Sequence, residues 1–368
     1  MLFVGTSIIH PSTEGVFLLC NILDLLIYSK KEKKGFVSIV IPVYNVQKKI
    51  VKCLQSICNQ SYQNFEILCI DDGSTDSTIE SIKKLAQKDC RIQLIQKEHG
   101  GQGSARNYGI SKTKGEYILF IDSDDVIAEE MLSVLRERAI KDDADVVICG
   151  IHLEQNKKFI CNYVVNDFAG SREEFMNERF KESYEKWLIN APWNKLIKKE
   201  LLLRYNLKFA EDMKVYEDLL FSLEVIQHAR RISVVSQPFY TYYYMQQGSV
   251  LSTFNENVDR YIERVGDKLE ELLPKYQLDL SYYYADLIHK KIVYASSIKK
   301  YKGFSVWEKI KRICFLFSEE KTREYLKKAK TENKVLKRQL FLMKRFGWAI
   351  KVITKLCWFR KSQEKTQL

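Results

Sequence analysis

The sequence predicts an α/β fold, with a mostly parallel β-sheet covered by helices on both faces. Three observations lead there. Between Phe36 and Cys149, short apolar runs alternate with stretches whose apolar residues recur at helical spacing. Each run closes in a polar or glycine-rich cluster, the mark of a strand end. The segments between runs are long enough for crossover helices, so successive strands should run parallel. Ligands of such sheets bind outside the carboxyl ends of the strands.

The first 35 residues are an extension. Val16 to Tyr28 is apolar but only thirteen residues long and is interrupted by Asn21 and Asp24, too short and too polar to span a bilayer. It reads as a surface helix; no basic start or small-residue cleavage site marks a signal peptide. From Phe36, FVSIVI is a strand, PVYN a loop, and Val46, Ile50, Val51, Leu54 and Ile57 one face of a helix. Phe65 to Ile70 is the second strand, followed by DDGS and a helix carrying Ile79, Ile82 and Leu85. Arg91 to Ile95 is the third, Ser104 to Ile110 a helix entered through glycines, Tyr117 to Ile121 the fourth strand, and Met131 to Ile140 its helix. Asp145 to Cys149 is the fifth strand.

Past Gly150 the alternation stops. A hairpin is expected over Ile151 to Phe168, helices over Arg172 to Leu188, Lys195 to Leu203 and Tyr216 to Ala229, and short strands over Ile232 to Val235 and Phe239 to Tyr244. From Asn257 onward the pattern is helical, with breaks at Pro274 and Gly303. The chain thus divides into the extension 1–35, an α/β domain 36–250 with halves 36–150 and 151–250, and a helical region 251–368.

Bulk properties narrow the function. With 368 residues, 46% hydrophobic and 29% charged, the chain is globular. Nine cysteines without a CxxC pair point to reduced thiols and a cytoplasmic setting. The net charge of +12 is uneven: from Tyr301 to Leu368 there are 19 Lys or Arg and 6 Asp or Glu, a net of +13. A near-neutral body with a basic appendage argues against a nucleic-acid-binding enzyme. On a helical wheel Lys344, Lys351 and Lys355 oppose Phe346, Ile350, Ile353 and Cys357, so residues 341–361 are expected to touch an anionic membrane surface from the cytoplasmic side. The competing reading is a helix packed on the body.

The polar clusters carry the chemistry. In YILFIDSDDVI (Tyr117 to Ile127), a continued strand would turn Asp122 and Asp124 to one side and Ser123 to the other. Paired carboxylates suit a hard cation, Mg2+ or Mn2+, shared with substrate phosphates. Asp125 is then free to cap a helix near Ala128. Asp72 is placed to accept from a base or ribose, with Pro42, Val43, Tyr44 and Asn45 as the neighbouring wall. Gly100, Gly101 and Gly103 allow close approach of a ring or phosphate. Arg106 suits a diphosphate or an ion pair that orders the loop. Glu217 and Asp218, heading an apolar helix, supply a carboxylate base. Trp193 and the run Tyr240 to Tyr244 read mainly as packing, with Trp193 able to stack on a sugar and His152 a second residue on the acceptor side.

Residues 36 to about 250 resemble the inverting glycosyltransferases of family 2, which have the GT-A fold. The resemblance rests on SIVIPVYN, ILCIDDGSTDST, GQGSARNYGI, YILFIDSDD, PWNKL and YED in that order. It implies that Asp72 contacts uracil, that Asp122, Ser123 and Asp124 hold the nucleotide sugar and its Mg2+ or Mn2+, and that Asp218 is the catalytic base. It also implies transfer from a UDP-sugar (UDP-glucose, UDP-galactose or a UDP-N-acetylhexosamine) to a glycan or lipid-linked acceptor in cell-surface polysaccharide synthesis: capsule, exopolysaccharide or O-antigen. Met245 stands where related sequences carry Arg. A QxxRW motif and a transmembrane bundle are both missing, which points to transfer of a single hexose and not to processive synthesis. The alternatives are a non-catalytic nucleotide-sugar-binding scaffold and a sugar nucleotidyltransferase; the latter normally needs a Gly-rich, basic loop where this chain has PVYN.

Overall fold

The computed structural model describes residues 35–244 and 254–345. Its centre is a parallel sheet of β1 (Val37–Val43), β2 (Phe65–Asp71), β3 (Ile92–Gln96) and β4 (Tyr117–Phe120), in spatial order β3-β2-β1-β4. The crossovers are α1 (Ile50–Cys58), α2 (Thr78–Ala86) and α3 (Gln102–Lys112). β1, β2 and β4 are buried almost throughout, as a sheet covered on both faces requires. α3 lies directly on β1: a Cβ on Gly109 would run into Val40, so only glycine permits this approach.

Beyond β4 come β5 (Val126–Ile127), α4 (Met131–Lys141), β6 (Val146–Gln155), β7 (Lys158–Tyr163) and β8 (Phe168–Ser171), then β9 (Lys195–Lys198) and β10 (Arg231–Tyr244). The sheet continues from β4 in the order β9-β6-β10-β5, with β9 antiparallel to both neighbours and β6 parallel to β10. β6 and β7 form the expected hairpin. The two short strands expected near the end of the domain are a single strand, β10, whose register shifts between Val235 and Tyr240.

Two sequence expectations fail here. Lys195 to Leu203 is not one helix: Lys195–Lys198 is β9, buried between β4 and β6, and only Lys199–Arg204 is helical (α7). Pairing on both sides outweighs the helix propensity of a lysine- and leucine-rich run. Arg172 to Leu188 divides into α5 (Arg172–Glu178), entered through a Ser171/Glu174 capping box, and α6 (Phe180–Glu185).

After α8 (Glu217–His228) the chain forms α9 (Val258–Leu272), a 3-10 turn containing Pro274, α10 (Ser281–Lys300), α11 (Val306–Ser318) and α12 (Glu320–Lys328), and is helical again over 334–345. Pro274 and Gly303 sit at breaks, as their chemistry predicts. The apolar core runs without interruption from the sheet into these helices. Lys268 reaches Glu224 of α8 at 2.8 Å, and Arg264 reaches Asp212 at 2.6 Å. Lys291 is fully buried, held by Asp259 at 2.5 Å and the Thr322 hydroxyl at 2.6 Å. The domain boundary near 250, the extension 1–34, Met245 and residues 346–361 of the basic tail lie outside the described residues. No described helix is long and apolar enough to cross a membrane. None of the seven described cysteines is in a disulfide.

Candidate active site

Four loops gather at the carboxyl ends of the parallel strands, as the topology dictates. After β1, Asn45 adopts a left-handed backbone (φ 50°) and its side chain accepts from the Thr75 amide at 2.8 Å. The Ser74 hydroxyl accepts from the Asn45 amide at 3.0 Å. These bonds tie PVYN to DDGSTDST. Tyr44 stays 47% exposed and its ring lies against His99, centroids 4.7 Å apart.

Asp72 is the hub of the glycine loop. Its carboxylate accepts from Lys97 Nζ at 2.7 Å, from the Gly100 amide at 2.9 Å and from the Gly101 amide at 2.7 Å, and His99 Nδ1 stands 2.9 Å away. A carboxylate has about four lone-pair positions, so Lys97, Gly100 and Gly101 occupy most of it. Lys97 and His99 were not among the expected site residues. Their signal was position: both follow β3 directly. Gly101, at φ 89°, needs its glycine; Gly103 has room for a Cβ but only at contact distance from Phe209 and Glu217.

Arg106 takes the ion-pair role of the two open to it. It is 2% exposed and donates to Asp122 at 2.8 Å and to Glu217 at 3.4 Å, its guanidinium 5.2 Å from the centre of the Phe209 ring. Burial works against its charge, but Asp122 and Glu217 more than offset this and hold its pKa above the usual value. A diphosphate has no open path to it. Replacing Arg106 by Met would strand two carboxylates. We expect a loss of about 3–5 kcal/mol in unfolding free energy, read from the denaturant midpoint. Arg106→Lys should rescue little, because a point charge cannot fork to both partners.

The DSDD segment is a turn, not a continued strand: β4 ends at Phe120, and the Asp125 amide donates to the Asp122 carbonyl at 3.1 Å. Alternation therefore does not place Asp122 and Asp124. Asp122 faces Arg106, while Asp124 pairs with Lys49 at 2.9 Å; their side chains are 26% and 35% exposed. Burial raises the Asp122 pKa, Arg106 opposes the rise and Asp124 adds to it. Ser123, between them, is buried.

Asp125 does not cap a helix. It lies beneath the turn, accepting from the Tyr240 hydroxyl at 2.9 Å and the Tyr243 amide at 3.0 Å, and α4 begins without a side-chain cap. Burial, then Asp124 and Asp122, push its carboxyl well above the usual range. Tyr240 also accepts from the Asp122 amide at 3.1 Å. It is the brace that fixes the turn.

Trp193 braces Tyr240 in turn. Its ring stacks on Tyr240 at 4.0 Å and lies 5.5 Å from Tyr242, and it is 7% exposed, which leaves no face for a sugar. His152 belongs to the β6–β7 hairpin, bonded to Asn162 at 3.0 Å, facing Glu154 at 3.3 Å and stacked on Phe159. Lys195, also from PWNKL, is fully buried and donates to the Leu188 carbonyl at 2.5 Å and to Asn194 at 2.8 Å. Burial lowers its pKa to about 7.

Tyr216 enters α8 in a left-handed conformation (φ 64°), which turns the ED pair toward this end of the sheet. Glu217 is 1% exposed and accepts from Gln102 at 2.5 Å as well as from Arg106. It is thus a buried anchor, not a group facing the cleft. Asp218 is only half-buried and accepts from the Leu219 amide at 2.7 Å. Burial and then Glu217 raise its carboxyl to about 7, against the pull of Arg106. A carboxylate so poised suits proton abstraction near neutrality.

The family model described as "Glycosyl transferase family 2" matches residues 38–205. The glycosyltransferase GlyG of Streptococcus pneumoniae is 31% identical over 291 residues, 76% of this chain and 94% of that protein. The uncharacterized glycosyltransferase EpsJ of Bacillus subtilis is 34% identical over 209 residues, 56% of this chain but only 60% of its own length. Among solved structures, S. aureus TarS 1–349 in complex with UDP-GlcNAc superposes with a TM-score of 0.58 at 20% identity, covering 89% of this chain and 92% of that one. With the GT-A sheet, the loops at its edge and a relative aligned almost end to end, the chain belongs to glycosyl transferase family 2 and is a glycosyltransferase.

Proposed function

We propose that the protein is an inverting, metal-dependent enzyme that moves one hexose from a UDP-sugar to a glycan or lipid-linked acceptor in cell-surface polysaccharide synthesis. The observation that carries the reading is the arrangement around Arg106, which joins Asp122 of the DSDD turn to the ED pair heading α8. Donor carboxylates and a base are thereby built into one unit.

Asp122 and Asp124 fit a divalent cation: both are hard oxygen donors, partly exposed and backed by buried Asp125. Mg2+ or Mn2+, held there, would neutralise the leaving diphosphate. The chain's own residues do the rest. Tyr44 and His99 offer ring surfaces to the base, and Asp72 shapes the loop behind them; a base reaching Asp72 directly would displace His99. Asp218 takes the proton from the acceptor hydroxyl as it attacks the anomeric carbon. Glu217 and Gln102 hold the helix end in place. UDP as the nucleotide is supported by the UDP-GlcNAc carried by the TarS neighbour. A cytoplasmic position, with residues 341–361 against the inner leaflet, accords with a lipid-linked acceptor.

The test is the product. One-step transfer by a single base gives one added hexose with inverted anomeric configuration, read by NMR and mass spectrometry. Retained configuration or a ladder of sugars would overturn the reading.

A further inference from the structure

The helical region carries an unusual surface. α11 buries Cys314, Leu316 and Phe317 against the body yet leaves Val306 at 76%, Trp307 at 44%, Ile310 at 38% and Phe315 at 60% exposure. Trp307, Lys311 and Phe315 stand at i, i+4 and i+8, one stripe of the helix. Over 334–345 the pattern repeats: Leu340 is buried, while Val335, Phe341 and Leu342 are 69%, 57% and 44% exposed. Exposed Lys334, Lys337, Arg338, Lys344 and Arg345 surround them. From Tyr301 to Arg345 there are 14 Lys or Arg against 5 Asp or Glu.

We infer that α11 and the helical segment 334–345 form a docking face for an anionic lipid bilayer, with Trp307 and Phe315 entering the headgroup boundary. This extends the membrane contact proposed above to an element outside the tail. Apolar tips interleaved with Lys and Arg match the layered chemistry of such a surface, apolar depth beneath anionic headgroups. RNA would use the cations and stack on aromatic rings, but it has no use for Val306, Ile310, Val335 and Leu342. The face would hold the enzyme where a lipid-linked acceptor lies.

The test is sedimentation of the full chain with phosphatidylcholine vesicles, with and without phosphatidylglycerol, at low and high salt. Binding should need the anionic lipid, fall with salt, and drop about tenfold in the double variant Trp307→Ser, Phe315→Ser. The unfolding midpoint of the variant, read alongside, separates a lost docking face from a lost fold. Absence of binding to anionic vesicles, unchanged binding by the variant, or preferential binding of single-stranded RNA would overturn the inference. UDP release by the same preparations, read with and without vesicles, tests the transferase reading separately.

Discussion

Asp218→Asn is expected to lower sugar transfer by about a thousandfold, the scale of losing a positioned general base, while UDP affinity stays within about twofold. The asparagine keeps the shape and loses the proton acceptor. Because burial and Glu217 raise this carboxyl to about 7, wild-type kcat/KM should fall as the pH drops below about 7 and level off above it. The sign for stability is the opposite. A carboxyl whose folded pKa lies above its unfolded value stabilises the fold in its protonated form, and that contribution is lost as the pH rises through about 7. The variant should therefore be no less stable than wild type at pH 8, a result that separates lost chemistry from lost structure. Normal turnover by Asp218→Asn would remove it as the base.

Asp124→Asn should cost as much in transfer, again about a thousandfold, through a different signature. Asp124 has a partly exposed carboxylate whose partner is Lys49, so its loss should leave the fold intact. What should vanish is the coupling between ligands. In wild type, Mn2+ is expected to tighten UDP binding at least about tenfold, and in the variant calorimetry should find UDP binding nearly indifferent to Mn2+. Preserved coupling would move the cation elsewhere.

The sequence made the parallel half of the sheet and its four loops legible because each strand there is a continuous apolar run closed by glycines or carboxylates. Beyond Gly150 the signals weaken. β9 looks helical because Lys195, a lysine, occupies a fully buried strand position where it holds backbone carbonyls. The local run of Lys and Leu carries no trace of that pairing.

The residues that follow the parallel strands are legible in the sequence; their contacts are not. That Asp122 and Asp124 follow β4 was visible; that the strand ends first, so that Arg106 and Lys49 orient them, was not. Tyr240 is the clearest case. Within a run of tyrosines it reads as packing, and only the fold brings its hydroxyl to Asp125, more than a hundred residues away in sequence. Trp193, which reads mainly as a packing residue, is the support behind that tyrosine.

Metal-dependent transfer from a UDP-sugar is open to direct measurement as nucleotide release across a panel of UDP-, GDP- and dTDP-sugars, with Mn2+ or with EDTA. UDP release is expected from one UDP-sugar with Mn2+, abolished by EDTA and by Asp124→Asn. Release from a GDP- or dTDP-sugar instead, or release that EDTA leaves untouched, would contradict it.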